Sequence, residues 1–78
     1  MDDELFSVAA GVLMIPAAEL SLDSTPASVA KWDSLRHMRL LLAVEEKFGV
    51  EFAEDDITSI VDMRTLAETL QRYRSQGQ

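Results

Sequence analysis

The sequence predicts an all-α protein of four helices, three main and one short, with a long loop between the first two. Three observations carry that prediction. Apolar residues recur at three- and four-residue spacing in the segments that begin near Leu5, Ser34 and Met63. Proline, glycine and capping acids stand where those segments need to start or stop. No stretch alternates apolar and polar residues convincingly enough to form a sheet.

In the first segment Leu5, Val8, Ala9, Val12 and Leu13 follow helical spacing, acids crowd the start, and Pro16 is expected to stop the helix near Ile15. From Pro16 to Lys31, with Pro26 and several small or hydroxylated residues, the chain reads as a long ordered loop tacked down by Leu20, Leu22, Val29 and Trp32. A loop of that length has a functional or a packing reason. The second helix is expected from Ser34 to Phe48. Asp33 is a good N-cap, because its carboxylate accepts from the orphan amides of the first turn and its charge suits the positive end of the helix dipole. Gly49 stands where a left-handed C-cap is wanted.

Phe52 and Ile57 then bracket an acidic turn, and Ile57 and Ile60 mark a short third helix. Asp62 is expected to cap a fourth, which presents Met63, Leu66, Leu70 and Tyr73 on one side. The polar stretch from Arg74 to Gln78 is expected to fray. A single domain over residues 1–78, ordered over about 3–73, is the resulting expectation.

Length and composition limit what such a domain can do. With 78 residues the core is too modest to enclose a conventional active site. The absence of cysteine removes disulfides, thiolate metal sites and a cysteine nucleophile, and it fits a reducing cytoplasm. Charges break the apolar stretches well short of a membrane span, and Met1-Asp2-Asp3-Glu4 is opposite in charge to the basic start of a signal peptide. A soluble, cytoplasmic monomer is the expectation.

The net charge of −7 is unevenly spread, at −5 over residues 1–30, +1 over 31–49, −5 over 50–62 and +2 over 63–78. An acidic total argues against nonspecific nucleic-acid binding and favours partners with basic docking patches. The acids Glu51, Glu54, Asp55 and Asp56 lack the spacing and the glycine of a calcium-binding loop, so no metal site is expected there.

The most informative segment is Trp32-Asp33-Ser34-Leu35 with the amphipathic run that follows it. With Asp33 as the cap, Ser34 sits at the mouth of the helix with its hydroxyl free to face solvent. A phosphodiester on that hydroxyl would lie beside backbone N–H groups in a favourable field. The helix also has two apolar stripes where a surface helix needs one. At about 100° per residue, Leu40, Val44 and Phe48 lie on one side with Leu41 at the margin, while Leu35, Met38 and Leu42 lie nearly opposite.

An isolated Asp-Ser pair usually does no more than start a helix. Here the serine, the long loop before it, the spacing of the segments after it and the chain length together resemble the acyl carrier proteins, from about Leu5 to about Tyr73. These are the phosphopantetheine-binding carriers of fatty acid, polyketide and related pathways. The resemblance implies a four-helix acyl-carrier-like bundle in which Ser34 receives 4′-phosphopantetheine from coenzyme A through a phosphopantetheinyl transferase. It further implies no catalysis by the chain itself, and partners that comprise an acyl- or aminoacyl-loading enzyme and downstream biosynthetic enzymes.

In that reading Leu40, Val44 and Phe48 face the bundle interior. Asp33, Leu35, Arg36, Met38, Arg39 and Leu42 form the attachment and partner-recognition face, the alternative being that the long loop covers Leu35, Met38 and Leu42 and both stripes are buried. Trp32 and His37 are candidates for contact with the arm, Trp32 chiefly as an anchor of the loop.

The chain departs from the fatty-acid type of carrier, which usually has acids just after the serine, where this sequence has Arg36, His37 and Arg39. It also has Lys31-Trp32 in place of the Gly-Gly common in peptidyl carrier domains. The Trp directly before Asp-Ser-Leu looks like small discrete carriers of polyketide, amino-acyl or polysaccharide-modifying pathways, and the basic residues after the serine argue against a role in bulk fatty acid synthesis. An unmodified helical interaction module with a carrier-like fold has the same composition and core, so it is the alternative. A hydrolase built on Ser34 and His37 lacks a visible orienting carboxylate and oxyanion hole.

Overall fold

The computed structural model describes residues 3–76, all-helical in its regular structure. Its four helices are α1 (Asp3–Leu13), α2 (Ser34–Phe48), α3 (Glu54–Ser59) and α4 (Met63–Gln76), with one turn of 3₁₀ helix at Ala17–Glu19. Among the described residues there is no strand.

Asp3 and Glu4 place negative charge at the positive end of α1, and Leu5, Ala9 and Leu13 are its buried face. The helix does not run on to Pro16. Met14 turns left-handed (φ 60°), and the Ile15 N–H reaches back to the carbonyl of Ala10 at 3.2 Å. This is the Schellman arrangement of a helix C-terminus, here with methionine in the position that glycine usually fills. Helix α2 ends the same way, with Gly49 at φ 68° and the Val50 N–H on the carbonyl of Glu45 at 3.1 Å.

The loop between α1 and α2 is ordered and contributes side chains to the common core. Leu20, Val29 and Trp32 are buried, and Leu22 is half-buried. Short polar turns hold it, the Ser21 N–H donating to the buried Ser24 Oγ (2.9 Å) and the Thr25 N–H to Ser28 Oγ (2.9 Å). It is tied to α4 by the Met63 N–H on the carbonyl of Ser24 (3.0 Å) and by Arg64 on Asp23 (2.8 Å).

Helix α2 has the expected bounds because both end signals operate. The Asp33 carboxylate accepts from the Arg36 N–H at 2.8 Å, and Gly49 supplies the left-handed exit. Its buried residues are Leu40, Leu41 and Val44, and α1 packs against it. Two assignments change here. Leu41, expected at the margin, is buried at 2% exposure, and Phe48, expected inside, is half-buried with the Arg74 guanidinium 5.1 Å from its ring centroid. The helix axis therefore lies rotated toward Leu41, and its last turn leaves the centre of the bundle.

The acidic segment expected as a turn is instead the first turn of α3, where Glu54, Asp55 and Asp56 complement the helix dipole although Ala53 offers no capping side chain. Tyr73 substitutes for that cap from across the bundle. Its hydroxyl accepts from the Ala53 N–H at 2.7 Å and donates to Asp56, while Phe52 meets its ring edge-on at 5.1 Å. The Ala53 N–H draws the Tyr73 phenol pKa down, but the Asp56 carboxylate and burial outweigh it and the value is raised overall.

Asp62 caps α4 as expected, accepting from the Thr65 N–H at 2.8 Å and from the Thr65 hydroxyl at 2.7 Å. These two bonds, the backbone one first, hold its carboxyl below the usual value. Met63, Leu66 and Leu70 are buried and Tyr73 is half-buried. The stretch expected to fray from Arg74 continues α4 to Gln76, while positions 77 and 78 lie outside the described residues.

Candidate functional site

The fold brings three segments together around the first turn of α2. Ser34 is the first helical residue and is exposed. Asp33 before it carries the cap, its carbonyl accepting the first intrahelical bond from the His37 N–H at 2.8 Å. The N–H groups of Ser34 and Leu35 have no hydrogen-bond partner among the described residues, as expected of the orphan donors of a first turn. Beside Ser34 opens a groove of about 560 Å³. Ser34, His37 and Met38 form its α2 side, Trp32 and Pro26 its loop side, and Ile60 and Val61 the side formed by the α3–α4 connection.

Trp32, expected as a loop anchor, is buried at 2% exposure, and it also forms part of the groove wall. Its indole N–H donates to His37 Nδ1 at 3.0 Å, the two rings lying 6.0 Å apart at 27°. No carboxylate among the described residues hydrogen-bonds His37, so Ser34 and His37 are not joined to a third group in the manner of a hydrolase. Among the described residues no group of three or more histidines and acids is arranged to hold a metal ion.

The candidate recognition residues divide. Leu35, Met38 and Leu42 are exposed at 61%, 48% and 60%, forming an apolar face that descends from Ser34. Arg39 is exposed, with no hydrogen bond or ion pair among the described residues. Arg36 instead folds back over the loop. It donates to the carbonyl of Lys31 at 3.3 Å and lies 3.8 Å from the Asp33 carboxylate and 3.9 Å from Met14 Sδ.

The sequence reading missed the far wall of the groove. Val61 directly precedes the Asp62 cap, where an apolar residue commonly staples onto the helix it introduces. It is 56% exposed instead, and that exposure is what marks it as part of a surface.

A small helical bundle with a free hydroxyl at a helix mouth, orphan amides beside it and an open apolar groove below defines a carrier domain, built to bear a group and present it. A family model described as the phosphopantetheine attachment site matches residues 3–72, and the chain belongs to that family. The fold is similar to the solution structure of holo acyl carrier protein from Geobacter metallireducens, with a TM-score of 0.87 at 22% identity over 99% of this chain and 91% of that one. No curated protein sequence matches.

The chain is thus a carrier and not an enzyme, and the group it bears covalently is 4′-phosphopantetheine. The site fits that group: an exposed hydroxyl accommodates a phosphodiester, the unpartnered N–H groups of Ser34 and Leu35 suit its oxygens, and the groove suits an arm with apolar sections. No helix among the described residues is long and apolar enough to cross a membrane.

Proposed function

We propose that Ser34 is the residue that carries 4′-phosphopantetheine, and that the chain is a discrete carrier of acyl or aminoacyl groups for a specialised biosynthetic pathway of the polyketide, amino-acyl or polysaccharide-related kind. One observation carries the proposal. Ser34 is the exposed hydroxyl at the first turn of α2, on the lip of the groove. When bound, the arm supplies a terminal thiol that holds the cargo as a thioester. Asp33 fixes the helix end and so the direction of the Ser34 hydroxyl, and the tether raises the local concentration of cargo at each partner's active site.

Partners in this reading are a phosphopantetheinyl transferase, a loading enzyme and the enzymes that consume the cargo, met by the protein as a cytoplasmic monomer. They read Leu35, Met38 and Leu42 with Arg39 at the edge, while Arg36 serves the loop. A basic residue on this face disfavours the basic docking surfaces that suit an acidic carrier helix, so bulk fatty acid synthesis is not the assigned role.

The test is the intact mass of the purified protein before and after incubation with coenzyme A, magnesium and a broad-specificity transferase. A gain of one phosphopantetheine that disappears in Ser34→Ala is expected. No gain with several transferases would replace this reading with that of an unmodified interaction module.

A further inference from the structure

We propose that Trp32 and His37 form a relay that holds the phosphodiester of the arm against the mouth of the groove, His37 by direct contact and Trp32 by fixing the tautomer of His37. The proposal rests on Ser34 bearing the arm.

Indole N–H is only ever a donor, so its bond to His37 Nδ1 at 3.0 Å requires a lone pair on that nitrogen. In the neutral ring the proton then sits on Nε2, on the side of the imidazole away from Nδ1. Trp32 is itself held by burial at 2% exposure and by its backbone N–H on the carbonyl of Val29 at 3.0 Å. The imidazole is therefore oriented by a rigid partner. Its Nε2–H has no protein acceptor among the described residues, although the ring is half-buried and lines the same groove as Ser34. Among the described residues no buried side-chain nitrogen or oxygen lacks a partner, so this donor opens to solvent, where a ligand in the groove reaches it.

What arrives is set by helix geometry. Residues three apart on a helix have side chains about 5–6 Å apart at Cβ, so His37 is a neighbour of Ser34. The phosphorus of a phosphodiester is one bond from Ser34 Oγ, whereas the amide carbonyls of the arm lie many bonds further out. Its oxygens carry a full negative charge, and hydrogen bonds to an ionised acceptor are roughly twice as strong as neutral ones. The unpartnered N–H groups of Ser34 and Leu35 approach the same anion from the helix end.

A like charge at the same helix end is the Asp33 carboxylate, which accepts from the Arg36 backbone N–H at 2.8 Å and has the Arg36 guanidinium 3.8 Å away. A phosphate held by His37 directs the rest of the arm along the groove between Trp32 and Val61 instead of outward to solvent.

The experiment compares apo and loaded protein under identical buffer conditions, reading the ¹⁵N resonances of His37 and the ³¹P resonance of the phosphodiester. Loading is expected to shift Nε2 more than Nδ1. In loaded His37→Phe the ³¹P line moves, by more than its width, toward that of the free arm in coenzyme A, and His37→Gln, which keeps a side-chain N–H donor, restores part of the shift. Trp32→Phe keeps the ring but removes its donor, so the two neutral tautomers mix and the Nε2 response to loading diminishes.

Intact mass separates the two possible failures. A mass that never rises overturns the assignment of Ser34 and this relay with it. A mass that rises while the His37 ¹⁵N resonances do not respond to loading and the ³¹P resonance is the same in wild type and His37→Phe overturns the relay alone.

Discussion

Lys31 donates its ammonium to the backbone carbonyl of Met14, 3.3 Å away and 17 residues earlier in the chain. That carbonyl belongs to the left-handed residue that ends α1, where the helix dipole favours a cation. Arg36 converges on the same point, its guanidinium 3.9 Å from Met14 Sδ. The end of α1 is thus joined to the beginning of α2, and the ends of the long loop are drawn together. Arg36, which the sequence reading assigns to partner recognition, is spent within the fold, as is Lys31.

Met14→Gly is expected to stabilise the protein. A left-handed conformation costs a side-chain-bearing residue about 1 kcal/mol, and the greater unfolded freedom of glycine returns about 0.5 of that. Met14 is 63% exposed, so little apolar burial is lost. A rise in Tm of roughly 2–4 °C follows for a domain of this size. Gly49→Ala is the converse, placing a Cβ at φ 68° in open space, and a loss of about 1 kcal/mol is expected from backbone strain alone. Denaturant titration of both variants checks the pair, and shifts of the same sign would contradict it.

Leu41 and Leu42 are adjacent and chemically identical but differ in exposure, at 2% and 60%. Leu41→Ala is expected to cost about 2–4 kcal/mol through lost burial and a residual cavity, a large share of what so small a domain has. Leu42→Ala is expected to stay within about 0.5 kcal/mol of wild type. If the proposed recognition face is right, only Leu42→Ala lowers kcat/KM of the transferase while leaving the chevron plot of folding unchanged.

The Asp62 carboxyl gives stability a defined acid dependence. The Thr65 N–H and hydroxyl hold its pKa below the ordinary 3.8, so the folded protein binds this proton less tightly than the unfolded chain. The stabilisation is complete above the ordinary value and is lost as pH falls through the lowered one. Asp62→Asn keeps an acceptor but cannot titrate, so the advantage of wild type in Tm is expected at neutral pH and shrinks below about pH 4. An advantage that stays constant down to acid unfolding would rule out Asp62 as the source.

Arg36 and Arg39 separate structure from recognition. Arg36→Ala removes the contacts with Lys31 and Met14 and is expected to lower stability by about 0.5–1 kcal/mol, as for a single modest hydrogen bond. Arg39→Ala leaves stability within about 0.5 kcal/mol. Its effect falls on association with partner enzymes, and the difference from wild type diminishes as salt screens the charge. Stopped-flow binding at two ionic strengths measures this directly.

Much of the site was legible because its signals are local. Asp33 and Gly49 mark both ends of α2 by side-chain chemistry and backbone freedom, and the observed helix has those ends. The two apolar stripes left open whether the long loop covers Leu35, Met38 and Leu42, and the structure leaves all three exposed. What was not legible depends on distant partners. The start of α3 lacks a cap in its own sequence because Tyr73 provides one from α4. Nothing in the sequence marks Met14 as a helix end, since methionine in a left-handed position has no signature and Pro16 supplied a stronger but misplaced one. The Trp32–His37 bond links a loop residue to a helix residue and emerges only once both are packed.

The backbone bond from Met63 to Ser24 fastens the loop to the start of α4, two residues along the chain from Pro26 and Val61, which line the groove. Parting the loop from the start of α4 therefore requires breaking that bond. The Met63 amide becomes a gauge of this opening. Its proton exchanges with deuterated solvent when that bond breaks, so its exchange rate, followed as the cargo on the carrier is lengthened, reports when the loop and α4 part.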